Sequence, residues 1–210
     1  MTNPLHKIIE DIPNIKKYPL HYIFENMKYT HKPNTLWLEF GVFSGRTINY
    51  ISQFTQEQVY GFDSFEGLPE KWRDGFEQGA FHMKGNLPHV RNNVTLVKGW
   101  FNETLVPFME THKDKKISFL HIDCDIYSST KYILNTLKDY LDKDCVVVFD
   151  ELVNYPTFDG PNGELRAFHE FISENKVSYS WIGMNGVPFD MYGYEHENVA
   201  LIIHSIENKD

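Results

Sequence analysis

Residues 38–45 read LEFGVFSG and decide the fold, because an apolar run meets two closely spaced glycines there. The run TLWLEF, residues 35–40, is short and apolar, which predicts a buried strand that ends at Gly41. The residues that follow Gly45, up to position 54, have apolar side chains at helical spacing. We therefore expect a strand, a tight turn and a helix, and ligands bind beyond such strand ends in open parallel sheets.

The same alternation of strand and helix patterns continues along the chain. Further strands are expected at residues 58–63, 93–99, 117–123, 144–151, 177–184 and 198–206, and helices at 102–112, 128–141 and 163–175. This order predicts an α/β fold with a doubly wound, mostly parallel sheet. The last two strands follow each other directly, so they predict a terminal hairpin and one antiparallel strand.

The chain is expected to form one domain over residues 1–210. Two short helices within residues 1–33, interrupted by Pro13 and Pro19, would form an N-terminal appendage. Residues 64–92 are polar and longer than an ordinary connection, which predicts a functional loop with a partial helix on the substrate side. We expect Asn102, and Ser128 or Ser129, to be N-caps of the helices that they begin.

Composition excludes several classes of function. The formal charge of −9 over 210 residues argues against nucleic-acid binding and against attraction to anionic membranes. Two cysteines, Cys124 and Cys145, are too few for a disulfide framework or a cysteine zinc site. With neither a signal peptide nor a long apolar stretch in the sequence, a cytoplasmic location without membrane or nucleic-acid partners is expected. Homo-oligomer formation is left open.

The glycine turn favours a nucleoside ligand that carries an ammonium group. Gly41 and Gly45 give the spacing G-x-x-x-G, whereas a dinucleotide fingerprint requires G-x-G-x-x-G. Glu39 would repel a pyrophosphate and attract an α-ammonium group. Asp63 ends the second expected strand, where an acid accepts hydrogen bonds from ribose hydroxyls. S-adenosylmethionine fits these features, and a plain strand-to-helix turn or an NAD-dependent oxidoreductase are the alternatives.

Acidic residues end two further strands. Asp123 and Asp125 follow one, and Asp150 and Glu151 follow the other. If the strands are neighbours, their ends lie about 5 Å apart, and the carboxylates repel one another unless a cation is bound. Mg²⁺ is the natural candidate, and it would lower the pKa of a substrate hydroxyl. Asp123 or Asp125 could then accept the proton, which predicts methyl transfer to oxygen; solvated loop acids or a helix cap at Asp125 are the alternatives.

Five segments in this order resemble the macrocin O-methyltransferase family: WLEFGVFSGRT, GFDSFEGLPEKW, LVKGWFNETL, LHIDCDIYSST and VVVFDEL. The resemblance covers roughly residues 35–175. It implies a Rossmann-like class I methyltransferase fold with a seven-stranded sheet, S-adenosylmethionine, Mg²⁺ and a sugar hydroxyl as the methyl acceptor. By position, it implies cofactor contacts at Glu39, Gly41, Ser44, Gly45, Thr47, Asp63, Ser64, Gly99, Trp100 and Phe101. It also implies a metal site at Asp123, Asp150 and Glu151, with Asp123 as a base.

The sequence departs from the family at two places. Glu151 stands where the family has an aspartate, and the N-terminal region is shorter than in the antibiotic-modifying members. The expected acceptor is therefore a sugar of a glycan, a polysaccharide or a glycosylated natural product. Trp72, Phe76, Phe81 and Tyr155 are expected to offer flat surfaces for the sugar or to pin the loop. A non-catalytic module that retains the cofactor pocket is a further alternative.

Overall fold

The computed structural model describes residues 3–207, so the first two and last three residues of the expected domain lie outside the described part. Seven strands form the sheet: β1 (Thr35–Phe40), β2 (Val59–Asp63), β3 (Val94–Lys98), β4 (Lys116–Ile122), β5 (Leu141–Phe149), β6 (Lys176–Met184) and β7 (Val199–Glu207). Six α-helices flank them: α1 (Pro4–Ile9), α2 (Pro19–His21), α3 (Arg46–Ile51), α4 (Phe101–Thr111), α5 (Tyr127–Leu137) and α6 (Glu164–Glu174). A π-helical turn at Tyr22–Asn26 extends α2.

The sheet has the strand order β3-β2-β1-β4-β5-β7-β6. All neighbouring pairs are parallel except those of β7, which runs antiparallel to both β5 and β6. The predicted α/β fold, with a seven-stranded and mostly parallel sheet and an antiparallel C-terminal strand, is confirmed. The register aligns Phe40 with Ile122 and Ile122 with Phe149, so β1, β4 and β5 end at the same level.

Both faces of the sheet are buried, as expected when helices cover each side of parallel strands. Two consecutive residues of β5 illustrate this, because they point to opposite faces of the sheet. Val147 packs with α4, α5 and α6, while Val148 packs with α2 and α3. Leu20 and Ile23 of the N-terminal segment belong to the second of these clusters. The N-terminal segment thus covers part of a sheet face, and α1 contributes to the opposite cluster.

The predicted helix caps are wrong at two helices. Helix α4 begins at Phe101 with Trp100 as its N-cap residue, so Asn102 lies within the first turn. Helix α5 begins at Tyr127 after Ile126, and Ser128 donates its hydroxyl hydrogen bond to Glu70 instead. Ser128 thus makes a tertiary contact with the long loop, and neither Asn102 nor Ser128 caps its helix.

Glu164 in the first turn of α6 is a buried carboxyl group. Its Oε1 accepts a hydrogen bond from the hydroxyl of Thr130 at 2.8 Å, while Oε2 has no hydrogen-bond partner among the described residues. Burial raises the pKa of Glu164 well above its ordinary value. The folded state therefore retains a proton over a pH range in which the unfolded chain has released it, and stability decreases as the pH rises through that range.

We predict that Glu164→Gln becomes more stable relative to the wild type as the pH rises from 5 to 8. The amide keeps the shape of the protonated acid and does not ionise. The gain in free energy of unfolding relative to the wild type is therefore at least about 1 kcal/mol, because a pKa shift of one unit corresponds to about 1.4 kcal/mol. Denaturant unfolding at both pH values measures it, with exposed Glu174→Gln on the same helix as the control. The same change in both variants would contradict the assignment.

Candidate active site

A cavity of about 930 Å³ opens at the carboxyl edge of the sheet. Its size lies at the upper end of the range of small-molecule sites, about 300–1,000 Å³. Most of the residues that the sequence predicts for a site line it: Gly41, Ser44, Thr47, Asp63, Ser64, Trp100, Phe101, Asp123, Asp125, Asp150 and Glu151. Three predicted residues, Glu39, Gly45 and Gly99, lie outside the lining.

The turn after β1 requires glycine at position 41. Gly41 has a φ of +92°, and a Cβ added there would lie 1.6 Å from the carbonyl oxygen of Asp123. The backbone N–H of Gly41 donates to Phe62 and that of Asp123 donates to Phe40, so the sheet ladder continues one residue past the strands. The contact fixes the end of β4, and with it Asp123, directly against the turn.

Gly45 serves the turn differently from the prediction that it lets a ligand approach the backbone. It has a φ of +79° and is the residue before α3. The nearest side chains to a Cβ at this position are Pro88 and Val90 of the long loop. In this structure Gly45 therefore joins the turn to the loop of residues 64–92, and a ligand contact there stays a prediction.

Asp63 ends β2 and organises the same turn. Its Oδ2 accepts hydrogen bonds from the backbone N–H groups of Val42 and Phe43, each at 2.8 Å. Its Oδ1 accepts one from the backbone of Phe65 at 2.6 Å. Each carboxylate oxygen can accept more than one hydrogen bond, so Asp63 can hold the turn and still bind a hydroxyl group in the cavity.

Glu39 faces the protein interior. Its side chain is 1% exposed, and its Oε2 lies 3.2 Å from Nδ1 of His121 on the neighbouring strand β4. The other ring nitrogen of His121 lies 3.8 Å from Oδ1 of Asp150. Burial lowers the pKa of His121, but the two carboxylates outweigh this effect and raise it to about 10. Burial also raises the pKa of Glu39, against the lowering effect of His121. Its predicted contact with an ammonium group stays a prediction.

The four predicted acids converge as the sequence suggested. Side-chain oxygens of Asp123, Asp125 and Glu151 lie within 4.8 Å of one another, and so do ligand atoms of Asp123, Asp150 and His121. Burial and the charge of Asp150 raise the pKa values of Asp123 and Glu151 well above the ordinary range, and that of Asp125 to about 7. Asp150 behaves oppositely, because His121 lowers its pKa despite burial.

These acids suit a hard divalent cation. Carboxylate oxygens are the ligands that Mg²⁺ prefers, and Oε2 of Glu151 is buried without a hydrogen-bond partner among the described residues. The longer side chain of Glu151 still reaches Asp123 and Asp125. Asp125 has a left-handed φ of +67°, a conformation that is uncommon outside glycine and is enriched at functional sites.

The long loop gives the cavity an aromatic wall. Trp72, Phe76 and Phe81 of the long loop line it. The guanidinium carbon of Arg73 lies 3.8 Å from the ring centre of Trp72, and Arg73 pairs with Glu197 at 3.3 Å. Tyr155, in contrast, does not line this cavity and is almost fully buried, so it packs beneath the loop.

Sequence reasoning does not identify Tyr18, Arg73 or Tyr194, although all three line the cavity. Tyr18 and Tyr194 come from segments distant in sequence from the motifs, and no local pattern marks them. The one local signal of Arg73 is its charge next to Trp72 in the long loop. His82 and His89 of the long loop lie outside the lining.

Comparison with known proteins gives a family. The family model described as "Methyltransferase domain" matches residues 38–152, more than half of the chain. No curated protein sequence matches the chain. Among residues 3–207, no helix is both long and apolar enough to cross a membrane.

Solved structures share the fold at low sequence identity. CalS11, a calicheamicin methyltransferase, is 22% identical with a TM-score of 0.56, over 80% of this chain and 72% of its own. The O-methyltransferase NovP is 18% identical with a TM-score of 0.56, over 90% and 76%. TomG, an O-methyltransferase from Streptomyces achromogenes in complex with SAM, is 13% identical with a TM-score of 0.50, over 97% and 87%.

We predict that Gly41→Ala destabilises the protein more than Gly75→Ala does. Both glycines have a φ near +90°, so an alanine costs about 1 kcal/mol of backbone strain at each position. Only at position 41 does the added Cβ collide with backbone, whereas nothing lies within 4 Å of a Cβ at position 75. Denaturant unfolding compares them, and equal losses of stability would contradict the role of the contact with Asp123.

Proposed function

The chain belongs to the methyltransferase domain family, and on this premise we propose that it is an enzyme that transfers the methyl group of S-adenosylmethionine to a hydroxyl oxygen of a sugar, with Mg²⁺ bound at the acid cluster. The single observation that carries the proposal is the convergence of the glycine turn, Asp63 and the four acids on one cavity. The donor would lie along the turn, and the acceptor between the acids and the aromatic wall.

The charge of the cavity supports S-adenosylmethionine as the donor. Six carboxylates line it, against two arginines: Asp63, Glu103, Asp123, Asp125, Asp150 and Glu151, with Arg46 and Arg73. A sulfonium and an ammonium group are favoured in such surroundings. We propose that Asp63 accepts hydrogen bonds from the ribose hydroxyls and that Trp100 and Phe101 adjoin the adenine. A structural neighbour, TomG, has been solved with SAM.

Mg²⁺ fits the acid cluster, with Asp123, Asp150 and Glu151 as the proposed ligands. When bound, the cation lowers the pKa of the acceptor hydroxyl and orients its oxygen. We propose that Asp125, whose pKa burial raises to about 7, accepts the hydroxyl proton near neutral pH. Asp123, the alternative base, would then be a ligand of the cation only. The loop of residues 64–92 would exclude water from the cavity.

A sugar acceptor is supported by the aromatic wall and by one neighbour. Trp72, Phe76 and Phe81 give flat surfaces on which the apolar face of a sugar ring can pack. CalS11, which shares the fold, is a TDP-rhamnose 3'-O-methyltransferase. The resemblance to the macrocin O-methyltransferase family points the same way. We propose a sugar of a glycan, a polysaccharide or a glycosylated natural product, in an enzyme of the cytoplasm.

The two alternatives raised by the sequence are weaker. A dinucleotide-dependent oxidoreductase lacks support, because the matched family is a methyltransferase family and a third glycine is missing from the turn. A non-catalytic module has no need for four buried or half-buried acids at one place, three of which have pKa values raised by burial and by the charge of Asp150. The acid cluster therefore favours an active enzyme.

We predict that Asp150→Ala lowers turnover at least about 100-fold, because it removes a cation ligand, while S-adenosylhomocysteine still binds. Titration calorimetry with S-adenosylhomocysteine measures binding. Turnover is measured as the formation of S-adenosylhomocysteine from S-adenosylmethionine, with nucleotide sugars and glycosides as methyl acceptors. The control is Asp114→Ala, which removes an exposed aspartate outside the cavity.

Three results would count against the proposal. Full activity of the wild type in excess EDTA would exclude the role of Mg²⁺. Binding of NAD without binding of S-adenosylhomocysteine would exclude the donor. Methylation of other hydroxyl compounds but of no sugar would exclude the acceptor.

A further inference from the structure

We propose that Tyr18 is a positioning residue of the cation site, which, together with Asn198, holds Asp150 so that one carboxylate oxygen faces the cation. The inference rests on the proposed function, because it concerns the Mg²⁺ site of that enzyme. It assigns a role to a part of the chain, residues 13–27, that the sequence motifs do not include.

Hydrogen-bond donors gather on a single oxygen of Asp150. The phenol of Tyr18 donates to Oδ1 at 2.8 Å, and the amide of Asn198 donates to the same atom at 2.6 Å. The ring nitrogen Nε2 of His121 lies 3.8 Å from it as well. Because Oδ1 receives these donors, the carboxylate is fixed in rotation and Oδ2 is the oxygen left to meet a cation.

Asn198 also fixes the backbone at this point. Its amide donates a second hydrogen bond to the carbonyl oxygen of Asp150, so side chain and main chain are held together. The backbone N–H of Asp150 donates to Ile122, which ties the residue to the end of β4. What remains to be set is the orientation of the carboxylate, and Tyr18 of the N-terminal segment supplies a further contact to it.

Tyr18 is held firmly enough to do this. Residues 13–15 pair with the end of β6, since Met184 donates its backbone hydrogen bond to Pro13 and accepts one from Ile15. After Tyr18, Leu20 and Ile23 are buried against the sheet. The tyrosine therefore sits between two anchored segments, and its ring lines the cavity beside the acids.

A hydrogen bond from a residue that does not itself contact the metal can orient a metal ligand, and its effect on metal affinity is measurable. Loss of such a partner typically weakens metal binding or activity 10- to 100-fold. A role of Tyr18 in contacting the acceptor instead would leave cation affinity unchanged. Cation affinity measured without any acceptor therefore separates the two roles.

The test is Tyr18→Phe, which keeps the ring and removes only the donor. Mn²⁺ affinity is measured by the electron paramagnetic resonance signal of the free ion, and S-adenosylhomocysteine affinity by calorimetry. The matched control is Tyr50→Phe, which removes a tyrosine hydrogen bond to Glu25, a carboxylate outside the acid cluster. We expect about tenfold weaker Mn²⁺ binding in Tyr18→Phe, with unchanged S-adenosylhomocysteine binding, and wild-type values for both ligands in Tyr50→Phe.

A double variant sharpens the result. In the background of Asp150→Ala, Tyr18→Phe should cause no further loss of Mn²⁺ affinity, because its partner is already absent. Wild-type Mn²⁺ affinity in Tyr18→Phe, or an equal loss in Tyr50→Phe, would overturn the role of Tyr18 and leave the proposed function intact. A wild-type protein that binds S-adenosylhomocysteine but not Mn²⁺ would overturn the cation site itself, and this inference with it.

Discussion

The structure depends on one electrostatic constraint, the burial of carboxylates where three parallel strands end together. The register that aligns Phe40, Ile122 and Phe149 brings the acids after β4 and β5 to one level. His121 offers one compensating charge, between Glu39 and Asp150. Asp123, Asp125 and Glu151 share no such internal partner on their strands, and burial, followed by the charge of Asp150, raises their pKa values. The cation that we propose for this cluster would relieve the repulsion, and Tyr18 and Asn198 orient Asp150 beside it.

Much of the architecture could be predicted from local sequence patterns. The apolar runs that end in Gly41, Asp63, Asp123 and Asp150 each gave a strand, because a strand covered on both faces by helices reads as a continuous apolar segment. Parallel topology then places all four ends at one edge. The convergence of the acids at one edge of the sheet is therefore predictable from the sequence alone.

The remainder of the site depends on tertiary contacts that no local pattern encodes. Glu39 is an acid suited to a cofactor, yet the register places it opposite His121, and the two side chains contact each other inside the sheet. Tyr18 reaches Asp150 across 132 positions of sequence. Asn102 and Ser128 have the side chains of helix caps, but the helices begin before them. For Glu39 and Tyr18 the outcome depends on contacts between segments that are distant in sequence.

The most direct test of the central claim is the number of protons released when Mg²⁺ binds. Carboxyl groups with raised pKa values must lose their protons to ligate a cation. Calorimetric titration of the wild type with Mg²⁺ at pH 6.5, in buffers of different ionisation enthalpy, counts these protons. Release of about one proton or more per cation bound is the expected result, because the pKa values of the proposed ligands Asp123 and Glu151 lie well above the ordinary range. Binding without proton release would show that the acids are already ionised, and it would contradict the account.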